Sequence, residues 1–336
     1  MQNLEQFYLE ALRLDLGTMI SPRMAIVHVT NRCQHSCTDC EYSALHSPDA
    51  QEIEGERLMT LIDEIADLGS VSILFSGGGE PTLHPMLGDA LKKTSGRKLS
   101  CGLFTNGGII DSKLADSIVE NCAFVRFSID AAHPETYAQI RGITPASFWK
   151  LLETVESIIE IRKRAHSQVE IGLKFLIRTN NLGEIPEFIT LAEKLGVQNV
   201  QFKPLRNAPG VLNKDDSEQA RKMIEKAKKK KGHTVRIQGG IADIKVSTPC
   251  WISPLRVVIS AEGDVHLCNY FNHRRDTHTF GNIYRKELKE LWGSEAHRDA
   301  LDMISSGECA LYDCRFHHLN EMLKSLIKKR AGFDFV

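Results

Sequence analysis

The sequence predicts an α/β protein: a parallel sheet or barrel of six βα units followed by a smaller α+β segment. Two observations carry this. Short apolar runs alternate with amphipathic stretches from about residue 24 to 203, and the pattern then gives way to a Lys-rich connector and a hairpin signal. The strand candidates are MAIVHVT (24–30), VSILFS (71–76), KLSCGLF (98–104), FVRFSI (124–129), VEIGLKFLI (169–177) and VQNVQFK (197–203). Between them lie ERLMTLIDEIADLG, SKLADSIVEN, SFWKLLETVESIIEIRK and EIPEFITLAEKLG, each ending near glycine or polar residues as helix stops do. Such alternation implies right-handed βαβ units, whose working residues cluster at the C-terminal ends of the strands.

After residue 206 the stretch to 245, with EKAKKKKG, reads as a solvated helix and connector rather than an anion site. PLRVVISAEGDVHLCNY (254–270) reads as a β-hairpin turning at AEGD, and RKELKELWGSEAHRDALDMI as a helical stretch. The expected organisation is an N-terminal helix at 1–23, a barrel at 24–206, a connector at 207–245, a small domain at 246–318 and a C-terminal helix at 319–336.

Lys+Arg of 42 against Asp+Glu of 43 gives a net charge of -1, which argues against a broad nucleic-acid or anionic-membrane surface. The first residues lack the basic start and apolar core of a signal peptide, and no stretch has the roughly 18 apolar residues of a membrane span, so a soluble cytoplasmic protein is expected. In such a chain clustered cysteines point to metal or redox chemistry rather than disulfides. Seven of the nine fall in two groups: Cys33, Cys37 and Cys40, then Cys250, Cys268, Cys309 and Cys314.

The first group, C-x3-C-x2-C within VTNRCQHSCTDCEYSA, follows the first strand. GGGEP (77–81), TNG (105–107) and SID (128–130) follow the second, third and fourth, which places them in one shared site. Iron–sulfur clusters are held by thiolates, and three thiolates leave one iron of a four-iron cubane open. The alternatives are a partial zinc site, with His35 as a fourth donor, or buried thiols. Consecutive glycines allow close backbone approach, and Glu80 can pair with an ammonium.

This combination resembles the radical S-adenosylmethionine (SAM) superfamily over about 24–205. The resemblance implies a partial (β/α)6 barrel in which Cys33, Cys37 and Cys40 ligate a [4Fe-4S] cluster whose open iron binds SAM. It implies that Gly78, Gly79 and Glu80 hold the amino group of SAM. Ser128 and Asp130 either contact its ribose or carboxylate or cap the strand end. Asn106 is a turn residue or a pocket wall. Lys174 and Lys203 face substrate or the SAM carboxylate if they point inward, which strand parity leaves open. One position departs from the family pattern: Asp39 stands where an aromatic usually precedes the third cysteine, and Tyr42 lies two residues beyond it, so the adenine contacts are open.

Cys250, then Gly263 and Cys268 across a hairpin, resembles the opening of the SPASM/twitch auxiliary domain; Cys309 and Cys314 would complete the ligands of one auxiliary [4Fe-4S] cluster, with zinc the alternative. Cys101 and Cys122 read as packing residues, or Cys101 as a hydrogen-atom donor. The expected activity is reductive cleavage of SAM to a 5'-deoxyadenosyl radical that abstracts hydrogen from a small polar, sugar- or alcohol-like metabolite, giving oxidation or epimerisation. The auxiliary cluster would take up the surplus electron. An external reductant such as flavodoxin or ferredoxin is implied. A peptide-modifying enzyme is the second reading, and a non-catalytic iron–sulfur or zinc protein is the reading from another class. Anaerobic reconstitution should load about eight irons, falling to about four in a Cys250→Ala/Cys268→Ala variant. Four irons in the natural chain would remove the auxiliary cluster from the account.

Overall fold

The computed structural model describes residues 19–47, 49–206, 210–230, 232–241, 250–269, 272, 274–305, 314, 316 and 319–323. Residues 1–18 of the expected N-terminal helix and Cys309 lie outside the described residues, as does most of the expected C-terminal helix, while residues 19–23 form no helix.

Each of the six predicted runs forms a strand: β1 (Met24–His28), β2 (Ser72–Ser76), β3 (Ser100–Thr105), β4 (Phe124–Ser128), β5 (Glu170–Ile177) and β6 (Asn199–Pro204). They lie in chain order and pair in parallel, the neighbour relation that right-handed crossovers produce. The third strand begins two residues later than its apolar run because Lys98 adopts φ +59°, a turn conformation a strand does not contain. The crossovers run through α1 (Gly55–Asp67), α2 (Leu87–Gly96), α3 (Ser112–Asn121), α4 (Pro134–Arg141), α5 (Ala146–Arg164) and α6 (Ile185–Leu195).

The connector contains more order than expected. Helix α7 (Lys214–Lys229) crosses to a seventh strand, β7 (Arg236–Gly239), which pairs in parallel with β6. Arg236–Gly239 is short and carries Arg and Gln, so its sequence has no apolar run to announce it. The hairpin forms as β8 (Arg256–Ile259) and β9 (Asp264–His266), with Gly263 at φ +83° in the turn; β10 (Thr279–Asn282) joins it. The long helical stretch near the C-terminus is divided, because Gly293 at φ +78° separates Leu288–Leu291 from Glu295–Ser305.

Strand β8 pairs in parallel with β1, so the small C-terminal segment extends the same ten-stranded sheet: β10-β9-β8-β1-β2-β3-β4-β5-β6-β7. The cysteine-bearing end of β1 therefore lies mid-sheet, flanked by β2 and by the hairpin. Side chains alternate across the sheet. The helix-facing layer is apolar and fully buried, with Ala25, Val27, Ile73, Phe75, Leu103, Val125, Phe127, Ile171, Leu173, Phe175, Val200 and Phe202 meeting the helices. The opposite face is mixed. Arg126 donates to Gln201 (3.2 Å), Asn199 (3.2 Å) and Gln238 (3.4 Å), and lies 5.5 Å from the centre of the Phe124 ring. Among the described residues no helix is long and apolar enough to cross a membrane.

Phe175 anchors the β5–α6 packing: its ring lies 4.7 Å from that of Phe188 and 5.6 Å from that of Phe202, all fully buried. Phe175→Ala should cost about 3–5 kcal/mol through lost burial and a residual cavity. A urea midpoint unchanged from the natural chain would contradict that.

Candidate active site

Residues 33–40 form no helix or strand, so their position depends on what ties them down. Three contacts do. The first is GGGEP, whose Gly79 and Glu80 amides donate to the carbonyls of Thr30 (2.9 Å) and Arg32 (2.8 Å). A Cβ at Gly78 would stand 2.1 Å from Asn31 Oδ1, and one at Gly79 would stand 2.1 Å from Arg32 O. Gly78 thus makes room for the Asn31 side chain and Gly79 for the Arg32 backbone, beyond any approach to a ligand. Second, the amides of Ser36 and Thr38 donate to the Arg141 and Ile140 carbonyls, both at 3.1 Å. These satisfy last-turn acceptors of α4 that have no partner within the helix.

Third, Asp39 is a buried ion-pair partner. Arg178, at the end of β5, donates to it from Nη2 (2.9 and 2.6 Å) and from Nε (3.0 Å), and both side chains are at most 5% exposed. This gives the unexpected acidic residue before the third cysteine a physical reason, a two-pronged charge-assisted anchor.

Cys33, Cys37 and Cys40 then line one cavity of about 200 Å³ with Tyr42, Gly78, Gly79, Glu80, Asn106, Ser128, Arg141 and Lys174. A second cavity of about 590 Å³ along the same loop is lined by the three cysteines, Arg32, His35 and His46. The shared site expected from strand-end positions is thus assembled. Ser128 and Lys174 are register partners on β4 and β5, and the parity left open by the sequence puts both toward the cavity. Lys203 is absent from its lining. Asn106 is turn and wall together: its Oδ1 accepts the Gly108 amide (2.9 Å), and its Nδ2 lies 3.9 Å from Cys33 Sγ.

Glu80 is 2% exposed, and burial pushes its carboxyl up, offset in part by hydrogen bonds. Its donors are the hydroxyls of Thr105 (2.6 Å) and Thr82 (2.9 Å) and the amides of Asn106 (2.6 Å) and Thr82 (3.1 Å). None is cationic, so an ammonium in the cavity would relieve a desolvation cost these bonds leave standing.

Two of the residues named from the sequence stand apart from the cavity. Asp130 does not line the cavity. At φ +63° it turns into the protein, where Oδ2 accepts from Arg141 (2.7 Å) and Oδ1 from the Leu176 amide (2.6 Å). Cys101 points to the helix side of β3, 1% exposed in the apolar core with its sulfur 3.9 Å from that of Cys122. That placement leaves it no path to a radical in the cavity.

Three residues went unread in the sequence: Arg141, Arg178 and His46. Arg141 lies in the last turn of α4 before Gly142, where a basic residue and a following glycine are ordinary helix-end features. Arg178 closes a strand, and His46 Nε2 donates to the Gly78 carbonyl at 2.8 Å from a loop of no regular pattern. No spacing rule marks any of them.

The donor set fits an iron–sulfur cluster. Burial pushes the thiols of Cys33 and Cys40 up to about 11, so they become thiolates only with a cation to bind. Thiols are the soft donors in the lining and suit iron, whereas the Glu80 carboxylate already accepts four hydrogen bonds from neutral groups. Among the described residues no three donors converge closely enough for a single ion. In the C-terminal segment, burial likewise pushes Cys250 and Cys314 up; Cys268 is close enough to add to both shifts. Arg256 donates to Cys268 Sγ at 3.7 Å and stacks 3.6 Å over the Phe316 ring.

Comparison with known proteins agrees with this geometry. The family model of the radical SAM superfamily matches residues 27–192, and that of the SPASM iron-sulfur cluster-binding domain matches 250–315. The chain is 23% identical over 294 residues, 81% of each chain, to the tungsten-containing aldehyde ferredoxin oxidoreductase cofactor-modifying protein of Pyrococcus furiosus. It is 24% identical over 288 residues to the PqqA peptide cyclase of Gluconobacter oxydans, covering 82% of this chain and 78% of that one. Its fold is similar to that of Streptococcus suis SuiB bound to the precursor peptide SuiA, with TM-score 0.68 at 12% identity over 88% of this chain and 70% of the other.

Two outcomes are expected. Gly79→Ala should displace the cysteine loop and sharply reduce iron uptake, while far-UV dichroism stays native; full iron loading would contradict the clamp. Burial opposes the charge on Asp130, but Arg141 and Arg178 outweigh it and hold the carboxyl below its usual range. A depressed carboxyl stabilises the fold above its unfolded value near 3.9 and loses that contribution as pH falls. The stability advantage of the metal-free natural chain over Asp130→Asn should therefore shrink below about pH 4. An advantage constant across that range would show that the ion pairs do not supply it.

Proposed function

Because the chain belongs to the radical SAM superfamily and carries a SPASM-type C-terminal domain, we propose that it is a peptide-modifying enzyme that starts its reaction by abstracting a hydrogen atom from the peptide. Its cofactors are a [4Fe-4S] cluster, SAM and an auxiliary iron–sulfur centre. Together the first cluster and SAM supply, when bound, a 5'-deoxyadenosyl radical. The observation that carries the reading is the convergence of Cys33, Cys37, Cys40, the GGGEP turn and Glu80 on one cavity at the strand ends.

In this reading the three cysteines hold the SAM-binding cluster. Gly78 and Gly79 shape the turn beside it, and Glu80 receives the amino group of SAM. Ser128, Lys174 and Arg141, which line the same cavity, orient the carboxylate and ribose. Cys250, Cys268, Cys309 and Cys314 hold the auxiliary centre, whose protein ligands suit it to accept an electron from the substrate radical.

The expected small polar metabolite gives way to a peptide in this reading. What supports a peptide is the likeness over four-fifths of the chain to a protein named a peptide cyclase. The Pyrococcus relative, named for modifying a cofactor, keeps a non-peptide substrate as the second reading.

Reconstituted protein given SAM and dithionite should release 5'-deoxyadenosine, and Cys37→Ala should abolish it; release at the natural rate would refute the triad's role. A deuterated peptide substrate should pass label into 5'-deoxyadenosine. Label arriving only from deuterated sugars or alcohols would return the assignment to small metabolites.

A further inference from the structure

The sulfur of Cys37 belongs to a closed ring of buried charged groups. Arg141 Nη1 donates to Cys37 Sγ at 3.7 Å, while Nη2 donates to Asp130 Oδ2 at 2.7 Å and to the Ser128 carbonyl. Asp130 Oδ2 lies 3.7 Å from Arg178 Nη2, and the same nitrogen reaches Asp39 Oδ2 at 2.6 Å. Asp39 is two residues beyond Cys37, so the ring closes through the loop itself. The side chains of Arg141, Asp130, Arg178 and Asp39 are 10%, 3%, 5% and 4% exposed.

Holding a loop does not require this. Buried ion pairs carry a desolvation penalty that apolar packing avoids, so their presence is weak evidence of a purely stabilising role. What apolar residues cannot do is present a cationic donor to a sulfur. Hydrogen bonds to ligand sulfurs and local net charge are among a protein's controls on the potential of an iron–sulfur cluster. An arginine suits the task better than a lysine, because one edge of its planar fork can be fixed by a carboxylate while another faces the sulfur.

Resting on the reading of the triad as cluster ligands, we propose that Arg141 is a positioning residue that raises the reduction potential of that cluster through its hydrogen bond to the Cys37 sulfur. Asp130, Arg178 and Asp39 hold its guanidinium in place. Reduction adds negative charge beside the guanidinium, so the reduced cluster gains more from Arg141 than the oxidised one. The acidic residue at position 39 thereby serves the cluster indirectly, by fixing the far end of the chain of charges.

The test is an anaerobic redox titration of the full reconstituted chain, followed by electron paramagnetic resonance without SAM, so that contacts to SAM play no part. Arg141→Gln should move the midpoint of the triad cluster to more negative potential and leave the auxiliary centre where it was. Arg141→Lys, which keeps the charge, should recover part of the shift. Asp39→Asn, which leaves Arg141 in place but loosens its support, should shift the midpoint the same way by less. A loaded triad cluster at the natural midpoint in Arg141→Gln would overturn the proposal. Should that variant fail to load, Asp39→Asn decides: an unchanged midpoint overturns it equally. Failure of the underlying reading looks different, since the natural chain would then hold no iron beyond what Cys250→Ala/Cys268→Ala removes.

Discussion

The site depends on how eight residues without regular structure are held. From Cys33 to Cys40 the chain makes no helix or strand, yet it must present three sulfurs to one cavity. Two of the ties are backbone hydrogen bonds, to Thr30 and Arg32 from the glycine turn and from Ser36 and Thr38 to the end of α4. The third is the Asp39–Arg178 ion pair. Because the ends of β1, β2, β5 and α4 all contribute, the loop is positioned by the tertiary fold and not by its own sequence.

The same loop meets the C-terminal hairpin. Pairing of β8 with β1 brings Glu262 to Asn31 (3.0 Å) and the Asn269 carbonyl to the Tyr42 hydroxyl (3.1 Å), while Asn272 donates to the Glu41 carbonyl (3.2 Å). Cys268 directly precedes Asn269, and Cys40 directly precedes Glu41 and lies two residues before Tyr42. The two cysteine groups, about two hundred residues apart in sequence, are thus mechanically joined by one sheet and a few polar contacts. His28 and His266 fall near this junction, where burial lowers them to about 4 and about 2 and keeps both neutral.

Among the described residues, the buried Asp, Glu and Arg residues are Glu80, Asp130, Arg141 and Arg178 around the triad and Arg256 beside Cys268. Glu80 is satisfied by neutral donors, whereas Asp39 and Asp130 are satisfied by guanidiniums. The difference fits different tasks. A carboxylate without a cationic partner keeps its capacity to attract one, while a carboxylate already paired can only hold its partner still.

The cysteine spacing, GGGEP and the alternation of apolar runs with helices are local patterns, and they determined the fold class, the cysteine loop and the place of the turns. Strand parity was undetermined for Lys174 because a one-residue uncertainty in register exchanges the two faces, and only pairing with Ser128 settled it. The short polar β7 was invisible for lack of an apolar signature, since its strand conformation comes from pairing with β6. The role of Asp130 stayed open because a strand-end aspartate reads the same whether it faces a cavity or turns inward at positive φ. Arg141, Arg178 and Asp39 lie on three different elements, and a pairing between distant charges leaves no periodic trace. The sequence by itself determined the superfamily and its cofactors; the tertiary structure decided which charges surround the cysteine loop, because only folding brings those residues within hydrogen-bond reach.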